Sequence, residues 1–251
     1  MTSDGETAGI EWGSHDGIGE VVMNRPPVNA LTVEGWFQLA RAVRSLGEDP
    51  STHVVVLRAE GRGFNAGVDI KEIQGSEDHT ALLGANHGCF AAFAAVYECA
   101  VPVVAAVQGF CLGGGIGLVG NADVIVASDD ATFGLPEVDR GALGAATHLM
   151  RLVPQHKARA MMYTASVATA EELHAFGAVW KVATREQLRE CAFEVARSIA
   201  EKDPTVVRAA KDALNGIDPW DVKRSYRYEQ GYTFELNLSG VSDRLREGFG
   251  R

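Results

Sequence analysis

No stretch of this 251-residue chain is long and apolar enough to span a membrane. No two cysteines form a CxxC pair, and Cys89, Cys99, Cys111 and Cys191 have no zinc-like spacing to histidine. Neither a metal knuckle nor a dithiol centre is therefore expected, and the cysteines read as reduced thiols packed among apolar neighbours. Basic residues are scarce: 23 Lys and Arg face 33 Asp and Glu, a formal net charge of −10. Such a surface repels phosphate backbones, which argues against a nucleic-acid partner. An anionic ligand would need a local basic patch working against that field. The opening "MTSDGETAG" lacks the apolar core of a secretory signal, so the expectation is a cytoplasmic protein with no membrane partner.

What is present is globular material, 46% hydrophobic and 22% charged, without repeats or long linkers. β-Branched runs at 9–14, 17–24, 53–60, 102–107 and 122–128 predict strands, and "ATF" (131–133) is placed beside the last of them. Helical spacing covers 33–47, with Thr32 as its cap, and 79–99, which is rich in alanine. From about 145 onward the pattern reads as almost wholly helical, ending in an aromatic helix near 218–238. The class is α/β with a C-terminal α-helical region.

Two loops share a design. "FNAGVDIKE" and "GFCLGGGIG" each follow a strand and open a helix. The first N–H groups of a helix lack intrahelical partners and lie at its positive end. Glycine there admits a ligand to the main chain. Two such loops side by side can aim one N–H each at a single oxygen and hold charge developing on a carbonyl. A rival reading is the dinucleotide fingerprint G-x-G-x-x-G, matched by Gly115, Gly117 and Gly120. It lacks its acid at the end of a following strand; Glu137 lies at about that distance but in a loop-like "GLPEV".

The segments "NRPPVNALT", "GRGFNAGVDIKE", "PVVAAVQGFCLGGGIGL", "ADVIVAS" and "ATFGLPEV" stand in the order and at about the spacing of the crotonase (enoyl-CoA hydratase/isomerase) superfamily, which the chain resembles over nearly its whole length. The resemblance implies a spiral core of ββα turns over residues 1–195. It also implies a C-terminal helical assembly region over 196–251, and a homotrimer or a hexamer. It implies a CoA thioester as substrate, with no separate cofactor and no metal. The two oxyanion-holding N–H groups map to Val68 and Gly114. The CoA end maps to Arg25, Ala66 and the segment Asp69, Ile70 and Lys71, with Lys71 as the local cation. Arg251 stands where relatives offer a lysine to CoA.

The family's hydratases grip one water between two glutamates, one as base and one as acid. Here the first position is Gly117 and only the second, Glu137, is acidic. The aspartate of dienoyl isomerases and a dehalogenase is replaced by Ala145. Glu137 is left as the acid–base group, its pKa expected to rise in an apolar cleft. Asp139 and Arg140 follow it, placed near the pocket or paired at the surface. His87, with Cys89, lies on the helix that lines the acyl pocket in the family. His148 and Tyr163 are weaker candidates.

"VYECAVPVVAAVQGF", "GLPEVDRGALGAATHLMRLVPQH" and "SYRYEQGYTFELNLSGV" resemble one branch, the ring-opening hydrolases that act on bicyclic CoA thioesters in actinobacterial steroid breakdown. That branch implies water activated by a single carboxylate attacking a ring ketone. Enoyl-CoA isomerisation, weak hydration and a non-catalytic CoA-binding partner role stay open beside it.

Overall fold

The β-branched runs become the strands of one sheet, and the glycine loops lie in the layer beside it. The computed structural model describes residues 9–76 and 78–247, so Arg251 lies outside the described residues. The first half runs β1 (Ile10–His15), β2 (Ile18–Met23), α1 (Val33–Glu48), β3 (Val54–Ala59), α2 (Ile70–Gln74), α3 (Thr80–Tyr97), β4 (Val103–Val107), β5 (Phe110–Leu112) and α4 (Gly114–Val119). Then come β6 (Val124–Ser128), β7 (Thr132–Gly134), a 3-10 helix (Pro136–Arg140), α5 (Ala146–Leu152), α6 (Gln155–Thr164), β8 (Val167–Thr169), α7 (Ala170–Ala175) and β9 (Lys181–Ala183). Four helices close the chain: α8 (Leu188–Ala200), α9 (Pro204–Ile217), α10 (Val222–Leu238) and α11 (Val241–Arg246).

Six strands form the larger sheet in the order β1-β2-β3-β4-β6-β9, and β5-β7-β8 form a smaller one. Only β1 and β2 pair antiparallel in the larger sheet. Their hairpin turns through Asp16 and Gly17, both with positive φ, as a two-residue turn between twisted strands requires. Successive pairs, β4 with β5 and β6 with β7, put one strand into each sheet before a helix returns the chain. This is the spiral of ββα turns. Bridges from Leu31 to Val68 and from Asn65 to Cys111 draw the 61–69 loop into the layer of the smaller sheet.

β4 is buried along its whole length and β3 almost so, because both sheet faces are covered. The main core lies on one face, and Leu188, Cys191, Ala192 and Ala196 of α8 pack on the other. A parallel strand buried on both faces needs apolar residues without alternation, hence the continuous runs. Thr32 caps α1, its side chain accepting from the Gly35 N–H at 3.2 Å.

The stretch beyond 145 departs from its helical expectation at β8 and β9. Each has three residues, too few for an alternation to show, and each is held by partners distant in sequence, β7 and β6. α8 runs through residue 195. Farther on, α9 is pinned by Lys211, whose buried ammonium meets the Asp123 carboxylate at 2.6 Å. Removing one partner of a buried pair leaves an uncompensated charge. Asp123→Asn is therefore expected to cost about 3 kcal/mol in denaturant unfolding, more than Lys211→Met, which removes the charge itself.

Candidate active site

The two glycine loops meet backbone to backbone. Leu112 N–H donates to Asn65 O at 2.9 Å, and Phe64 N–H to Phe110 O at 2.9 Å. A Cβ on Gly67 would lie 3.2 Å from Gly114 N, and one on Gly114 would lie 2.6 Å from the Trp36 ring. No side chain fits between these loops. Asn65, fully buried, holds the first of them: its Oδ1 accepts from Gly67 N–H at 2.8 Å and its Nδ2 donates to Asn29 O at 2.6 Å. The Val68 and Gly114 N–H groups have no acceptor among the described residues. Both residues border the same cavity, of about 280 Å³.

Glu137 enters that cavity from the 3-10 helix. Its Oε1 takes the space that a side chain on Gly113 would fill. Its Oε2 is completely shielded and has no hydrogen-bond partner among the described residues. Burial pushes its pKa up to about 8, with a smaller push from the Glu229 carboxylate. An orphaned carboxyl beside two free backbone donors can take a proton from a water or a carbon acid, while the donors hold a developing oxyanion. A near-neutral pKa suits proton transfer in both directions.

Residues 13–234 match the family described as enoyl-CoA hydratase/isomerase. The chain belongs to that family. It is 67% identical over 234 residues to the (7aS)-7a-methyl-1,5-dioxo-2,3,5,6,7,7a-hexahydro-1H-indene-carboxyl-CoA hydrolase of Rhodococcus jostii, covering 93% of this chain and 91% of the relative. It is 64% identical over 233 residues to the hydrolase of the same name from Mycobacterium tuberculosis, covering 93% of this chain and 94% of the relative. Among solved structures, an enoyl-CoA hydratase/isomerase from Xanthobacter autotrophicus superposes with a TM-score of 0.83 at 26% identity, over 93% of this chain and 88% of that one.

Of the residues singled out in the sequence of this family member, Val68, Gly114, Glu137, Ala66, Ile70, Cys89, Arg140 and Ala145 line the cavity. The others do not, and each has a physical reason. Arg25 pairs with Asp69 at 2.9 Å and donates to Ala30 O at 2.6 Å. Asp69 also caps α2 through the Lys71 N–H. Lys71 is exposed on α2, away from the lining, and Asp139 is exposed on the 3-10 helix.

His87 corrects the expectation for α3. It is exposed, because the face turned to the cavity carries Leu82, Ala85, Asn86, Cys89 and Phe93, at helical spacing. Gly117 is corrected likewise. It is buried behind Phe93, whose ring any Cβ at 117 would strike, and it does not reach the lining. The ring thus stands where a side chain at the hydratases' first glutamate position would begin. His148 is buried behind the same ring, 5.2 Å between centroids, with its pKa pressed down to about 3 by burial. Tyr163 is exposed.

The sequence reading missed the contribution of the C-terminal helices. Tyr226, Gln230 and Thr233 of α10 and Arg246 of α11 line the cavity. Glu229 accepts from the Ala146 N–H at 3.0 Å, and burial raises its pKa to about 7. Tyr226, Glu229, Gln230, Thr233 and Asn237 are the buried face of α10. Their recurrence in steps of three and four was readable, but a polar stripe at that spacing has the signature of a solvated face.

Glu137 and Glu229 bind their protons more tightly folded than unfolded, where the ordinary value is 4.5. The stability this provides is complete below the unfolded value and is lost as pH rises through the folded ones. Thermal unfolding is expected to show the wild type weakening between about pH 5 and pH 8, and Glu137→Gln weakening less, because the amide stays neutral throughout. Gly117→Glu is expected to lose several kcal/mol of stability, about what overpacking costs, without gaining crotonyl-CoA hydration.

Proposed function

We propose that this chain opens one ring of a bicyclic, steroid-derived CoA thioester by hydrolysis, with Glu137 as the base. The observation that carries the reading is the solitary shielded carboxyl facing an apolar cavity that two unpaired backbone N–H groups also border. Two relatives above 60% identity bear the name of a CoA-thioester hydrolase whose acyl group has two ring ketones.

In this reading the Glu137 carboxylate takes a proton from water. The hydroxide adds to a ring ketone, and the bond from that carbon to its ring neighbour breaks. The electron pair is delocalised onto the thioester oxygen, where the Val68 and Gly114 N–H groups hold it. The proton then passes from Glu137 to the carbanion. One water is consumed, and a carboxylic acid and a C–H bond are formed, so no redox partner is required. The acyl group lies among Ile70, Ile73, Leu82 and Phe93, and the CoA arm passes by Ala66 and Ile70. Phe93 at the position of the absent glutamate disfavours hydration. Exposed Val206, Leu214 and Ile217 on α9 support assembly of residues 196–251 into a homotrimer or hexamer.

Mass spectrometry of a bicyclic diketone CoA thioester incubated with the protein tests the reading. Gain of one water with ring opening is expected, falling at least about 100-fold in Glu137→Gln, as loss of a general base does. An unchanged thioester overturns the hydrolase and directs attention to enoyl-CoA isomerisation. Because the base must be ionised, kcat/KM is expected to rise with pH and level off above about 8, following the Glu137 pKa.

A further inference from the structure

Two fully shielded side-chain polar atoms without a partner belong to residues of the cavity lining, among the described residues. One is Glu137 Oε2. The other is Nδ2 of Asn86, a residue only 5% exposed. Its carboxamide is not free to turn. Asn86 Oδ1 accepts from the Arg227 guanidinium at 3.3 Å, and Arg227 in turn lies over the Phe90 ring, 4.2 Å from its centroid. An acceptor bound to Arg227 must be the carbonyl oxygen, since guanidinium offers donors only. The amide N–H bonds are therefore left without an acceptor among the described residues, on a side chain that lines the cavity together with Ala85, Cys89 and Phe93 of α3.

A buried donor without an acceptor costs about 1–3 kcal/mol, so a site that keeps one fits a ligand that supplies the acceptor. The thioester oxygen already has its donors in Val68 and Gly114. We propose that Asn86 is a specificity residue whose amide donates to a ketone oxygen of the acyl group, beyond the thioester, and that Arg227 is the positioning residue that orients it. The inference rests on the CoA-thioester reading above, but not on hydrolysis. A site built to hydrogen-bond a polar group discriminates strongly against the analogue that lacks it, because its own donor is then stranded.

The test is calorimetric binding of two bicyclic acyl-CoA thioesters, one with ring ketones and one without. The full-length wild type, Asn86→Asp, Asn86→Leu and Arg227→Met are compared. The wild type is expected to favour the ketone-bearing thioester by about 10-fold or more, as one buried hydrogen bond to a ligand gives. Asn86→Asp, isosteric and still able to accept from Arg227, is expected to abolish that preference, as is Asn86→Leu. Affinity for the ketone-free thioester should stay within about twofold. Arg227→Met should reduce the preference in part. Equal loss on both thioesters, an unchanged preference in Asn86→Asp, or no preference in the wild type overturns the proposal. Product analysis on the same samples separates the two readings: a wild type that prefers the ketone without opening the ring sinks the hydrolase and leaves the Asn86 assignment standing.

Discussion

Two stretches of bare backbone pressed against each other set the terms for everything else in this molecule. Gly67 and Gly114 approach so closely that neither tolerates a Cβ without displacing main chain or the Trp36 ring. That contact brings Val68 and Gly114 to one cavity with their N–H groups unspent. The spiral exists, in effect, to bring this contact about: β3 and β5 lie in different sheets, yet the loop after β3 bridges to β5 through Asn65 and Cys111. Asn65 then holds the loop with hydrogen bonds on both sides of its amide.

The same absence of side chains admits Glu137. Its carboxyl occupies the space that Gly113 leaves open, in the cavity that Val68 and Gly114 also border, and its Oε2 is shielded there without a hydrogen-bond partner among the described residues. Burial opposes ionisation, so stability and reactivity pull in opposite directions at this residue. The C-terminal helices complete the enclosure. α10 lays Tyr226, Gln230 and Thr233 along the cavity, and Glu229 caps the start of α5 from the same face. A lining that combines an orphaned carboxyl with the Asn86 amide suits an acyl group that is bulky, mostly apolar and marked by a few carbonyl oxygens.

The strands with β-branched runs were legible because burial on both faces demands apolar residues at every position, a pattern independent of partners. β8 and β9 were not, since three residues such as Val167–Thr169 become a strand only when β7 lies alongside. The glycine loops were legible because their signal, glycines at strand-to-helix junctions, is local; Val68, Gly114 and Glu137 were singled out through the family resemblance, and all three line one cavity. His87, open to reading as a pocket residue or as an exposed histidine of its helix, is exposed, and its neighbour Asn86 turns inward. Helical phase decides whether residue 86 or 87 of α3 turns inward, and an alanine-rich helix with apolar residues on every side carries little phase information.

The amino-acid sequence by itself determined the class of fold and the glycine loops, because each follows from steric or solvation demands within a few residues, while the lone acid was singled out through the family resemblance. The tertiary structure alone decided which polar groups are stranded without partners. Tyr226 was legible only as one aromatic of a packing helix, and nothing local marks Asn86 or Glu229 as buried. All three are buried only because α10 folds back over α3 and α5, 83 to 141 residues away in the chain; Glu229 then finds the Ala146 N–H, while Asn86 Nδ2 is left without a partner among the described residues.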